Sequence, residues 1–191
     1  LLYPECPDDR SHGPVLRHPL PLLVLGSGAN GANNHVQLLE ALLPLAGRLR
    51  VVALCGRRET AVQEVRAWAQ RHPELAVEAR GFQDPQAMAL LYRQAWAMVA
   101  RPGARTATEA LVFGCVLIFN TFGSTMPQEL LALRYYRERG LHVAMRSPCD
   151  LERQVRCWLD HPDIHGQLVA RYQSSCLRQD PERVSAFLQP A

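Results

Sequence analysis

The sequence predicts an α/β domain of Rossmann-like type: three layers, with a mostly parallel sheet of about six strands between helices. Two observations carry this. Short apolar runs alternate with amphipathic helix patterns along most of the chain, and the runs are continuously apolar, as strands covered on both faces must be. With 191 residues, 48% of them hydrophobic, the chain buries roughly 70% of its unfolded surface, enough for one domain with a proper core.

Leu22 to Leu25 is the first apolar run. It ends in Gly26 and leads into a helix pattern with Val36, Leu39, Leu42 and Leu43 on one face. Val51 to Cys55 repeats the strand signal, and Thr60 to Arg71 the helix signal, with Val62, Val65 and Trp68 at helical spacing. Leu75 to Ala79 follows, then Asp84-Pro85 as N-cap and first turn of a helix carrying Met88, Leu91 and Ala95. Ala97 to Ala100, a helix opened by Thr106, Val116 to Phe119, a helix opened by Pro127 and closed by Gly140, and Leu141 to Ala144 extend the alternation through strands four to six. Ser147-Pro148 caps a helix with Leu151, Val155 and Leu159 that stops near Pro162. The expected organisation is therefore a linker over 1–20, one domain over 21–162 and a helical tail over 163–191 whose destination the sequence leaves open.

Bulk composition excludes several function classes. A net charge of +3 with dispersed basic residues, all twenty-one of them arginine, lacks the concentrated footprint of a nucleic-acid binder. The six cysteines show no C-x-x-C pair and no metal spacing, so a reduced, cytoplasmic setting is expected. The longest apolar runs fall far short of a membrane span, and no signal peptide is visible. Leu1 in place of a start methionine suggests a piece cut from something longer.

Two stretches carry chemistry. Between Arg101 and Glu129 the order R-P-G-A-R-T-A-T-E-A, apolar strand, glycine-containing loop and P-Q-E reads as a nucleotide-sugar site. Gly103 lets backbone approach a phosphate, Thr106 opens a helix whose N–H groups face an anion, and Glu109 presents a carboxylate one turn in. Each piece also has a plainer reading. Thr106-x-x-Glu109 is a capping box, and Pro127 and Glu129 suit the first turn of any helix. The second stretch, Gly26-Ser27-Gly28-Ala29-Asn30-Gly31, is a literal G-x-G-x-x-G between strand and helix, the context for dinucleotide binding. It admits an NADP-dependent oxidoreductase, with Arg57 and Arg58 facing a 2′-phosphate where an acid would mark NAD, and equally a glycine turn that only packs strand on helix. No D-x-D metal motif, nucleophile elbow or paired histidine spacing is present; His35 reads as a helix-face histidine.

Taken together these residues resemble the nucleotide-sugar-binding C-terminal half of GT-B glycosyltransferases, in the group of monogalactosyldiacylglycerol synthase, bacterial diacylglycerol glucosyltransferases and the peptidoglycan enzyme MurG. The resemblance covers about Pro21 to Pro162. It rests on the glycine loop, Cys55-Gly56-Arg57, Gly81-Phe82, Gly103 with Thr106 and Glu109, and Pro127-Gln128-Glu129. It implies a UDP-sugar donor and no other cofactor. Glu109 would bind the ribose hydroxyls, Phe82 would hold uracil through its backbone, and Gly103, Arg105 and Thr106 would meet the diphosphate. Gln128 and Glu129 would grip the sugar hydroxyls, Gly26, Ser27, Gly28 and Gly31 would add N–H groups near the phosphates, and Arg57 belongs to the same donor-binding set. The resemblance further implies inverting, metal-independent transfer, with the catalytic base and acceptor groove on a separate N-terminal domain or partner subunit, a lipid acceptor, and peripheral contact with the inner face of a membrane. Three positions depart from the pattern. Arg105 replaces a glycine, where it either adds a cation at the phosphates or obstructs them; Ala132 replaces an asparagine; and Ser124-Thr125-Met126 replaces a glycine before Gln128.

Overall fold

The computed structural model describes residues 20–26, 34–123 and 125–175. Six strands, β1 (Leu22–Leu25), β2 (Arg50–Leu54), β3 (Ala76–Arg80), β4 (Ala97–Ala100), β5 (Leu117–Asn120) and β6 (Ala144–Met145), form one sheet in the order β3-β2-β1-β4-β5-β6. Every pairing is parallel. Among the described residues, α1 (His35–Leu42), α2 (Glu59–Arg71), α3 (Pro85–Gln94), α4 (Ala104–Phe113) and α5 (Glu129–Glu138) fill the five connections, and α6 (Pro148–Asp160) and α7 (Pro162–Ser174) follow β6. α1 packs with α2 and α6, while α4 packs with α3 and α5, so helices cover both faces. The expected Rossmann-like sandwich is the fold observed.

Burial follows the apolar runs. All four residues of β1, β4 and β5 are buried, and Leu23, Val24, Leu25, Ile118 and Phe119 are fully so. β3 differs from the continuous apolarity expected of every strand. Its Glu78 and Arg80 lie on one face two residues apart and pair at 2.7 and 2.9 Å, a charged, half-solvated edge that discourages further strand addition.

Two helix boundaries and one strand fall elsewhere than the sequence suggests. α4 opens with Gly103 as N-cap, which puts Thr106 inside the first turn; the Thr106/Glu109 capping box does not form. α5 begins at Glu129 with Gln128 as N-cap, so Pro127 precedes the helix. β6 lies at Ala144–Met145, not Leu141–Ala144, because the chain first has to turn out of α5. There Gly140, at φ 64°, ends the helix in a Schellman arrangement: its N–H bonds Arg137 O at 3.1 Å, and Leu141 N–H bonds Tyr136 O at 2.9 Å. Leu141 is fully buried as the apolar partner of that turn. A true capping box does form at Ser147 and Asp150, at the head of α6.

α7 gives residues 162–174 their destination. Tyr172 is completely buried, and its hydroxyl accepts from Leu117 N–H at 2.9 Å; His165 Nε2 bonds Trp96 O at 3.0 Å and its ring packs against Trp96 and Trp158. A carbonyl can only accept, so that nitrogen carries the proton. Trp96 and Leu117 stand where β4 and β5 begin, so α7 seals the amino ends of the strands. The opposite rim carries the loops of interest. The expected linker, 1–20, and the end of the tail lie outside the described residues, apart from Leu20.

Candidate functional site

A parallel sheet delivers every loop that follows a strand to the same edge. Gly26, Cys55-Gly56-Arg57, Gly81-Phe82, Arg101 to Gly103, Thr121 to Gly123 and Thr125 to Gln128 therefore share one rim, as the sequence requires of them. The chain runs outward from β1 through β2 to β3, then returns to β4 and runs the other way. That reversal opens the crevice between β1 and β4, where doubly wound sheets take ligands. Gly26 stands at its floor. Its N–H bonds Val99 O at 2.7 Å, and a Cβ there would meet the same oxygen at 2.9 Å, so glycine is demanded by the approach of β4. Ser27, Gly28 and Gly31, the rest of the expected phosphate loop, lie outside the described residues.

α4 points its amino end at this crevice. Gly103 caps it without a side chain, leaving the first-turn N–H groups of Ala104, Arg105 and Thr106 without acceptors within the helix, the arrangement that attracts anions. Gly103 itself has an ordinary φ of −73°, and a Cβ there would meet nothing within 4 Å among the described residues. Among the described residues, neither backbone strain nor packing calls for glycine at that position.

Glu109 lies one turn further along α4, 21% exposed. Its Oε2 accepts from the Tyr92 hydroxyl at 3.0 Å and its Oε1 from Arg105 Nε at 2.8 Å. Tyr92, from α3, was not singled out by the sequence. Burial, and after it the Glu109 carboxylate, pushes its phenol far above the usual value, so it stays a donor at any physiological pH; the Thr106 side chain bonds the same phenol. Glu109 is thus a carboxylate fixed between α3 and α4, one turn in from the amino end of α4.

Glu129 is placed differently. It is 6% exposed and forms a two-pronged pair with Arg101, Nε to Oε1 at 3.2 Å and a terminal nitrogen to Oε2 at 2.7 Å; Oε2 also accepts from Met126 N–H at 2.9 Å. Arg101 further bonds Phe122 O at 3.3 Å. The structure therefore turns Glu129 inward, tying the loop after β4 to the loop after β5, whereas its neighbour Gln128 is exposed with its amide against the Met126 sulfur at 3.1 Å. Arg101 is the second residue that motif reasoning passed over. Its signal was there, an arginine directly after a buried strand and 28 positions from an acid at a helix start, but only the fold shows that the two meet.

Phe82 stands at the far end of the rim, three strand spacings from β4, roughly 14 Å. It is 54% exposed, and the Arg57 guanidinium lies over its ring at 4.7 Å, which joins the β2 and β3 loops. The Gln83 amide donates to the carbonyls of Gly81 and Phe82, both at 3.2 Å. Arg57 is engaged with an aromatic ring, not turned out as a 2′-phosphate clamp.

An all-parallel 3-2-1-4-5-6 sheet, a glycine-capped helix that begins beside its switch point and a fixed carboxylate one turn along that helix define a Rossmann-type α/β domain. Residues 22–131 match the family model described as the glycosyltransferase family 28 C-terminal domain. The chain belongs to that family. The fold is similar to that of Acinetobacter baumannii MurG, at a TM-score of 0.69 and 20% identity, over 90% of this chain and 50% of that one. It is also similar to the Neisseria meningitidis UDP-GlcNAc 2-epimerase solved with UDP-GlcNAc bound, at a TM-score of 0.63 and 10% identity, over 90% and 44%. A third neighbour is WaaG, a glycosyltransferase involved in lipopolysaccharide biosynthesis, at 0.63 and 14%, over 90% and 48%. The chain thus spans about half the length of these proteins. No curated protein matches it in sequence.

Proposed function

We propose that this chain is the donor-binding half of a UDP-sugar-dependent glycosyltransferase. The observation that carries the reading is the Glu109 carboxylate, held by Tyr92 one turn into α4, the helix whose glycine-capped amino end follows β4 at the rim. A carboxylate with two acceptor oxygens suits the cis-diol of a ribose, and the helix start suits the diphosphate beside it. A relative in fold solved with UDP-GlcNAc, and membership of a glycosyltransferase family, support the same ligand class. The residue markers favour the monogalactosyldiacylglycerol synthase, diacylglycerol glucosyltransferase and MurG group, hence a lipid acceptor and work at a membrane surface. No helix among the described residues is long and apolar enough to cross a membrane.

The transfer is a direct displacement with inversion. An acceptor hydroxyl attacks the anomeric carbon, the bond from that carbon to the diphosphate oxygen breaks, and UDP departs with the electron pair, its charge met by the first-turn N–H groups of α4 and by arginine, without a metal ion. The acceptor's proton passes to a base on the N-terminal domain or partner subunit that completes the enzyme. Gln128, exposed at the rim, reads the sugar hydroxyls.

Calorimetry on the 191-residue chain tests this. UDP should bind with micromolar affinity and NADPH should give no heat; the reverse result rejects the reading. Glu109→Ala should weaken UDP by about 1.5 to 3 kcal/mol, roughly tenfold to a hundredfold, and an unchanged affinity would leave Glu109 a purely structural partner of Tyr92.

A further inference from the structure

The two oxygens of Glu109 have partners of very different permanence. Tyr92, on Oε2, is 2% exposed and its ring lies nearly flat on Phe113 at 5.6 Å, so its hydroxyl cannot withdraw without unpacking α3 from α4. Arg105, on Oε1, is 73% exposed and reaches across one helical turn. Exposed pairs at this spacing shift an equilibrium only about twofold.

Resting on the nucleotide-sugar reading above, we propose that Arg105 exchanges partners when the donor binds: it gives up Glu109 Oε1 to the ribose hydroxyls and swings to the diphosphate. Each part of the exchange has a physical reason. Arg105 is the second residue of α4, so its backbone already lies among the N–H groups that would meet the phosphates. A helical Cα–Cβ bond leans toward the helix start, so the rotamer leading to an anion there is close to the backbone's own bias. A diphosphate offers the guanidinium more charge and a two-pronged fit, whereas Glu109 now uses a single oxygen. Tyr92 meanwhile keeps the carboxylate aimed, so Glu109 need not reorient as Arg105 leaves. Arg105 is then neither a plain obstruction nor a plain added cation. It couples the two halves of the ligand, because a nucleoside without phosphate must break the Arg105–Glu109 pair and gives the arginine nothing in return.

The coupling is read by calorimetry of the full chain with uridine and with UDP, comparing the native protein, Arg105→Gln and Tyr92→Phe. Arg105→Gln should tighten uridine about twofold and weaken UDP about tenfold or more, opposite signs for two ligands that share a nucleoside. Tyr92→Phe, which keeps the ring stacked on Phe113, should weaken both by the same factor. If Arg105→Gln moves both ligands in the same direction, or leaves UDP unchanged, the exchange is wrong while UDP binding stands. If the native chain binds neither ligand, the nucleotide-sugar reading falls and the exchange falls with it.

Discussion

Gly103 and Glu129 show how differently single residues of one motif behave. Gly103 carries no positive φ and no crowding from the described residues, and clearance for a phosphate is the role proposed for its missing side chain. Gly103→Ala should cost no more than about 1 kcal/mol in stability, the difference between a glycine and an alanine N-cap. It should nevertheless weaken UDP at least tenfold in a calorimetric titration, and equal affinity would return Gly103 to an ordinary cap. Glu109 was legible from sequence as a carboxylate one turn into a helix, because that follows from local spacing. Its hold by Tyr92 was not, since the two residues lie on different helices that only the α3–α4 packing brings together. The resemblance gives Glu129 a sugar-binding role, and its pairing with Arg101 is invisible in sequence for the same reason: the contact joins two loops across the sheet edge.

At the scale of elements, that pair is the tie between the β4 and β5 loops. Arg101 keeps 26% of its side chain exposed and Glu129 only 8%. Glu129→Ala would take the carboxylate partner from a partly buried guanidinium and release Met126 N–H and the loop before α5, at a cost of about 2 to 3 kcal/mol, below the range for a fully buried pair. Urea unfolding measures this directly; a loss under about 1 kcal/mol would mean that the pair behaves as a surface bridge. Most elements were legible because buried strands and amphipathic helices write themselves into the chain at fixed periods. The misplaced boundaries have local causes. Glycine as an N-cap has no side-chain signal to compete with a threonine three residues later, so α4 was started late. The Schellman turn at Gly140 consumes Leu141 in an apolar contact that looks, in sequence, like the first residue of a strand.

For the whole molecule, the amino and carboxyl ends of the strands have separate tasks: α7 and its aromatic cluster close one end, and the loops of the candidate site occupy the other. The closed end sets the acid limit of the fold. Burial depresses the His165 imidazole below its ordinary value, against the pull of its bond to Trp96 O, and burial followed by Arg137 depresses His142. Below about pH 6.5 the unfolded chain takes up these protons before the native one does, so stability should fall as the pH drops from there toward the folded-state values and be insensitive to these groups above it. Thermal unfolding at pH 8, 6.5 and 5.5 should show that loss only in the last step, and His165→Gln should reduce it; a profile unaffected by the substitution would clear His165 of the effect. The sheet's class was readable from alternation alone, whereas its strand order, which puts the crevice between β1 and β4, needed the fold. The central claim is that this crevice takes a uridine diphosphate, and amide chemical shifts of the ¹⁵N-labelled chain titrated with UDP test it most directly. Saturable shifts are expected at Ala104, Arg105, Thr106 and Glu109 and at Phe82; shifts confined to the α7 end of the sheet, or none at millimolar UDP, would rule the crevice out as a uridine diphosphate site.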